Sequence, residues 1–331
     1  MRKYDIYGVG AALVDTEIEV SDAFLVEANI DKGVMTLVDD ARQAELISSL
    51  STESSSMLRK CGGSVCNSVV AASRLGAQVF FSGKVADDDD GQLFIDDLNE
   101  AGVDFHSAGQ EAGITGKCLV MVTDDAERTM STFLGASEDL SPREIDQVAL
   151  VDSEWLYVEG YLVTDEARTA ATQAAVELAK ANDVKVAISL SDPFVVAVFG
   201  NALRQVISDG VDLIFCNKDE AMAFTGTENL ESASEELKQY TKTFAITDGA
   251  NGAITFDGTS LNQSKGVETV AIDTNGAGDM FAGAFLLAIT LDKSFVWASS
   301  LANDCAARVV GQFGPRLEAE EYDSIKAKFD L

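Results

Sequence analysis

Seven consecutive residues carry the strongest chemical signal in the chain: Asp273, Thr274, Asn275, Gly276, Ala277, Gly278 and Asp279, running into the apolar stretch MFAGAFLLAI. Small residues between two aspartates let the backbone turn tightly and aim several N–H groups at one point. The helix expected next adds the partial positive charge of its N-terminus. The Gly276–Ala277–Gly278 turn is thus an anion hole suited to a phosphoryl group in transit. Asp279 stands beside it, where a carboxylate can take the proton of an attacking hydroxyl. Read more blandly, the same aspartate caps a helix after a glycine turn.

Other stretches supply polar groups next to glycines. Gly62 and Gly63 precede a helix beginning at Ser64 and allow a ligand close to the backbone. Asn67, one turn in, offers a donor and an acceptor that suit sugar hydroxyls. Asp15 closes the first strand region, GVGAALVD, and a carboxylate there can hold two vicinal hydroxyls. The Gly-Val-Gly of that region lacks a third glycine and runs into strand-like sequence, so it is not a dinucleotide fingerprint. Asn217 and Glu220 are three residues apart and share a helical face. By themselves they read as a helix start; an acid there can also serve a hydrated Mg²⁺ through water. No GxxxxGK[ST] loop occurs. His106, the single histidine, gives little support to a histidine-based triad or metal site.

The elements that must position these groups alternate between short apolar strands and helices, which indicates an α/β fold. Strands are expected at 4–10, 78–82, 103–105, 154–158, 185–189, 213–216 and 243–247. Helices are expected at 64–75, 91–101 and 165–182. An open parallel sheet binds ligands at the carboxyl ends of its strands. Residues 14–38 and 116–133 break the rhythm with a period of two and little helical period, which predicts a small separate β-sheet serving as a lid. The expected division is an α/β core over about 1–10, 40–110 and 136–331, with the lid over about 11–39 and 111–135. Residues 51–56, STESSS, read as a mobile loop.

Composition narrows the function. The 331 residues carry 55 acidic and 24 basic side chains, a formal charge of -31. That balance argues against nucleic-acid backbones and anionic membranes as partners. There is no apolar run of about 18 residues for a membrane span and no signal-length apolar stretch at the N-terminus. The five cysteines show no CxxC spacing and read as reduced thiols of a cytoplasmic protein.

The string DTNGAGD resembles the signature of the ribokinase, or PfkB, carbohydrate kinase superfamily, and its Asn275 resembles the adenosine kinase branch. GGSVCN at 62–67, GKVADD at 83–88, NKDE at 217–220 and TDGANG at 247–252 resemble further segments of that family in the expected order. SLSDPF at 189–194 is similar to adenosine-kinase-like members. The resemblance implies a doubly wound ribokinase-like sheet flanked by helices with a β lid. It also implies an ATP- and Mg²⁺-dependent kinase for a nucleoside or sugar, acting as a monomer or homodimer, with room for a monovalent cation site.

Residue by residue, the resemblance makes Asp279 the base and Gly276–Gly278 the anion hole. Asp15, Gly62, Gly63, Asn67, the lid residue Arg128 and the aromatic Tyr161 fall to the substrate. Asn217, Glu220, Thr247, Gly249, Gly252, Asp273, Thr274, Asn303 and Ala306 fall to the nucleotide, with Glu220 reaching Mg²⁺ through water. Without the resemblance, Arg128 is equally an exposed strand cation, Tyr161 a buried tyrosine, and 247–252 a hairpin turn. Ala11 stands where the family carries Asn, which removes a side-chain contact to the sugar. Three readings follow: adenosine kinase acting on the 5′-hydroxyl, a kinase of ribose, fructose or a related sugar, and an inactive nucleotide-binding protein on the same fold.

Overall fold

The computed structural model describes residues 2–51, 58–105, 111–208 and 210–331. His106 and all but the first residue of 51–56 lie outside these. Among the described residues nine strands form one large sheet. From one edge to the other they are Leu261–Ser264, Ala253–Phe256, Thr243–Thr247, Leu213–Asn217, Lys185–Ser189, Ser153–Glu159, Tyr4–Val9, Val79–Ser82 and Val103–Phe105. The pairs from Thr243–Thr247 to Val103–Phe105 are parallel, and the two remaining strands extend the sheet antiparallel.

Both faces of this sheet are buried, so its strands read as continuous apolar runs. Successive side chains point to opposite layers. Ile6, Tyr157 and Ala187 pack with the helices Ser64–Leu75, Ala277–Thr290 and Phe295–Val310. Tyr7, Leu156 and Ile188 pack on the other face, with the helices Glu166–Ala181, Pro193–Ser208 and Lys218–Thr225. The chain leaves Tyr4–Val9 toward one edge through Val79–Ser82 and later returns to its other side through Ser153–Glu159. This reversal opens a crevice at the carboxyl ends of the two strands.

A second sheet of five strands lies across that crevice, in the order Met35–Leu37, Arg128–Phe133, Gly116–Val122, Leu13–Glu19 and Leu58–Gly62. Two expectations need correction. Residues 58–62 fall within the range expected for the core, with no strand expected there, but form the strand Leu58–Gly62, which pairs antiparallel with Leu13–Glu19 in the small sheet. Its five residues carry no clear alternation, and only its partner identifies it. Residues 14–38 are not strand throughout: Asp22–Glu27 is helical, capped by the Ser21 side chain accepting from the Phe24 amide, with Leu25 turned inward. The helix Asp40–Ser51 joins this small core, where Leu46 and Leu50 meet Ile18, Leu119 and Met121. Among the described residues no helix is long and apolar enough to cross a membrane.

Candidate active site

The helix Ala277–Thr290 starts from Gly276, whose φ of 74° is left-handed. A β-carbon there would lie 2.5 Å from the Pro315 carbonyl oxygen, so both backbone conformation and space demand glycine. The first full helical bond runs from the Met280 amide to the Gly276 carbonyl at 2.8 Å. The Ala277 amide makes a long 3.4 Å turn bond to Thr274. The amides of Gly278 and Asp279 belong to the first turn and have no acceptor within the helix. A β-carbon on the exposed Gly278 would meet nothing within 4 Å, so the space before this turn is open. The loop behind it is held by Asp273, a buried carboxylate that accepts from the Asn275 amide at 2.8 Å and the Gly314 amide at 3.0 Å.

Asp279 stands in the first turn, half-buried, against the start of the helix Ser64–Leu75. The Ser64 hydroxyl donates to its Oδ1 at 2.5 Å and Asn67 Nδ2 donates to its Oδ2 at 3.1 Å. Burial pushes the Asp279 carboxyl above its usual range, while these two hydrogen bonds, Arg128 and Arg316 oppose the push. The side chain is therefore pinned, oriented and made more basic than an exposed aspartate. Gly63, with a φ of 100°, caps the helix of Ser64 and Asn67, and a β-carbon there would strike the Ala11 carbonyl at 2.2 Å.

Three further buried carboxyls surround the crevice. Asp15 lies on Gly62, whose added β-carbon would sit 2.0 Å from the Asp15 Cγ. Burial raises Asp15 to about 7, against Arg316 and with Asp279. Glu159, at the end of its strand, accepts from the amides of Ala11 at 2.8 Å and Val65 at 3.0 Å. Burial raises it to about 7 despite these bonds. Glu17 accepts from Asn275 Nδ2 at 2.6 Å, and burial raises it to about 8.

The lid reaches the anion-hole loop directly. Arg128 donates to Asn275 Oδ1 at 3.1 Å, and the Thr274 hydroxyl donates to the Ala126 carbonyl at 3.3 Å. Asn275 is thus gripped between two lid residues, Arg128 and Glu17. Arg128 also bears electrostatically on Tyr161, half-buried in the turn Gly160–Thr164, and on Glu220.

The remaining residues line the far half of the sheet. Asn217 and Glu220 form a reciprocal cap at the start of Lys218–Thr225. Glu220 Oε1 accepts from Asn217 Nδ2 at 2.7 Å and Oε2 from the Asn217 amide at 3.0 Å. Burial raises Glu220 to about 7, opposed by the Asn217 amide. With both oxygens engaged, this carboxyl suits a hydrated Mg²⁺ met through water rather than directly. Thr247 pairs with Asn217 across the sheet, and Gly249 and Gly252 turn the chain at φ of 52° and 96° into the antiparallel strand Ala253–Phe256. The hairpin reading of 247–252 and its place at a strand end both hold. Asn303 spends its amide nitrogen on Ser264 Oγ at 2.9 Å and the Lys265 carbonyl at 3.1 Å, and Ala306 lies one turn further along the same helix. In the acidic run, Asp88 caps the helix Asp89–Glu100 and accepts from Thr115, and Asp90 pairs with Lys117 at 3.2 Å.

Residues without a readable role in the sequence complete the site. Ser64 and Glu159 are single polar residues whose partners lie 215 and 148 positions away. Arg316 is a lone arginine after Gly314 and Pro315, and Glu17 is one acid in an alternating strand. No local pattern marks any of them.

The comparisons with known proteins place the whole chain in a family. Residues 33–321 match the pfkB family carbohydrate kinase profile. The chain is 28% identical to the adenosine kinase of Saccharomyces cerevisiae, covering 95% of this chain and 96% of that protein. It is 30% identical to the ribokinase of Haemophilus influenzae, over 76% of this chain and 82% of that one. The crystal structure of adenosine kinase from Sinorhizobium meliloti superposes with a TM-score of 0.92 at 33% identity, over 98% and 99% of the two chains. The chain belongs to the pfkB family of carbohydrate kinases, on its adenosine-kinase-like branch, and is an ATP-dependent kinase of a sugar or nucleoside.

Proposed function

We propose that the chain transfers the γ-phosphate of ATP to the 5′-hydroxyl of adenosine, with Asp279 as general base. The observation that carries this reading is the pairing of a pinned, desolvated carboxylate with the open first-turn amides of the same helix. The acceptor's sugar would lie between Asp15, Gly62, Gly63 and Asn67, its primary hydroxyl toward Asp279. Asp279 would take the hydroxyl proton as the oxygen attacks. Charge on the transferring group would be met by the Gly276–Gly278 backbone and by Arg128. The small sheet, bonded to Asn275 through Glu17 and Arg128, would keep water from the reacting centre.

ATP would lie along Thr247, Gly249 and Gly252 toward Asn303 and Ala306. Asp273 and Thr274 would support it through the loop they shape. Asn217 and Glu220 would hold Mg²⁺ through water, and that ion would neutralise phosphate charge when bound.

A second reading, a kinase of a free sugar, is favoured by one observation. At Ala11 a buried methyl group replaces the family's Asn, and its amide is spent on Glu159. The test is ADP release from ATP with adenosine, ribose or fructose as acceptor. Release with adenosine alone supports the first reading; release with a free sugar alone selects the second.

A further inference from the structure

Arg316 is a buried cation whose guanidinium faces three acceptors in different directions. Its Nε donates to Asn67 Oδ1 at 3.0 Å, its Nη1 to Asp97 Oδ2 at 3.0 Å, and its Nη2 to the Cys61 carbonyl. Asp97 in turn accepts from the Cys61 amide at 2.6 Å. Against the upward push of burial, Arg316 and Cys61 hold Asp97 below its usual range. The buried charge is therefore paired, and each edge of the planar fork is used.

The consequence lies at Asn67. An amide side chain has one donor end and one acceptor end, and it can be turned over at little steric cost. Here its neighbours are a carboxylate, which can only accept, and a guanidinium, which can only donate. A single orientation satisfies both, with Oδ1 toward Arg316 and Nδ2 toward Asp279. With no donor held in line with Oδ1, the amide oxygen is free to turn against the Asp279 carboxylate and repel it. The neighbouring residues place Arg316 firmly: the Gly314 amide is held by Asp273, and Pro315 packs against Gly276. The segment 314–316 thus braces the anion-hole loop and the acceptor segment together.

We propose that Arg316 is a positioning residue for the phosphotransfer base, acting through the orientation it imposes on the Asn67 amide. The proposal rests on the reading of Asp279 as the base. Arg316 makes its hydrogen bonds to Asn67, Asp97 and the Cys61 and Cys66 segment and not to Asp279; it sets which face of Asn67 meets Asp279. Lysine keeps the charge but cannot serve three divergent acceptors, so the native arginine is required for its shape.

The test is steady-state ADP release by the full chain, with the acceptor, adenosine or ribose, that the native protein turns over. Arg316→Lys is expected to lower kcat ~10- to 100-fold, the size of effect that misplacing a reacting group by about 1 Å produces. KM for ATP is expected to stay within about threefold, since the lost interaction is not made with the nucleotide. In an Asn67→Ala background the same change is expected to cost less than about twofold, because both act through one contact. Asn67→Asp keeps the acceptor for Arg316 but removes the donor to Asp279. It carries the test if Arg316→Lys does not fold, with an equal or larger loss of kcat expected when assayed below its own, lowered Tm. Native-like turnover in Arg316→Lys or Asn67→Asp, or losses that multiply in the double variant, would overturn the proposal. Asp279→Asn in the same panel separates the two claims. If it turns over normally, the base assignment fails; if it is inactive while Arg316→Lys is normal, only the role of Arg316 fails.

Discussion

Gly283 and Ser68 bring two helices into backbone contact: a β-carbon added to Gly283 would lie 2.1 Å from the Ser68 carbonyl oxygen and 3.1 Å from Ala71 Cβ. This close approach lies one turn beyond Asp279 on one helix and next to Asn67 on the other. It sets the distance across which Ser64 and Asn67 reach Asp279.

Gly283→Ala therefore tests whether helix spacing controls the site. The obstacle is backbone, which cannot rotate away, so the helices must separate. The expected result is a loss of roughly 1–3 kcal/mol of stability from overpacking and a fall in kcat of ~10-fold or more. Urea unfolding and ADP release measure the two. A variant with native stability and rate would show that the spacing is not limiting.

Asn275 is the residue through which the lid grips the anion-hole loop. Asn275→Ala removes the acceptor for Arg128 and the donor to Glu17, whose other oxygen, Oε2, is buried with no partner of its own. A buried carboxyl left without its hydrogen bond costs about 1–3 kcal/mol, so Tm should drop. Turnover should fall while ADP release without acceptor rises relative to it, because the lid closes less firmly. An unchanged ratio of the two rates would contradict the grip.

Several buried carboxyls make stability depend on pH. Glu17 is raised from 4.5 to about 8, Asp15 from 3.8 to about 7, and Glu159 and Glu220 from 4.5 to about 7. In each case burial is the main cause. A raised folded value means that the folded chain holds a proton which the unfolded chain has released. Stability from these groups is full below the unfolded values and falls as pH rises toward the folded ones. Unfolding free energy should accordingly decline from pH 5 to pH 8. Glu17→Gln removes one such group, so its curve should be flatter than the native curve over that interval. Parallel curves would show that Glu17 does not titrate there.

The sequence revealed the fold where burial is simple and the site where chemistry is local. Strands such as Lys185–Ser189 and Thr243–Thr247 are apolar on both faces and are legible as runs. Gly276, Gly278 and Asp279 are legible because turn, amides and base lie within seven consecutive residues. Leu58–Gly62 is not, since a short strand at a sheet edge is defined by its partner. Asp22–Glu27 was hidden in a stretch of strand-like alternation, although Ser21 is a helix-cap residue. Asn67 is legible as a polar residue beside glycines, but its contacts to Asp279 and Arg316 are not. Arg316 and Glu159 act across 249 and 148 residues of chain, and only the folded crevice joins them to the base.

The most direct measurement is single-turnover phosphoryl transfer by Asp279→Asn alongside ATP binding by calorimetry. Asparagine keeps the size of the side chain and its contact with Ser64 but cannot take a proton at neutral pH. Transfer is expected to slow by roughly 10²–10⁴-fold, the range for loss of a general base, with ATP affinity within about threefold of native. Transfer at the native rate would contradict the account.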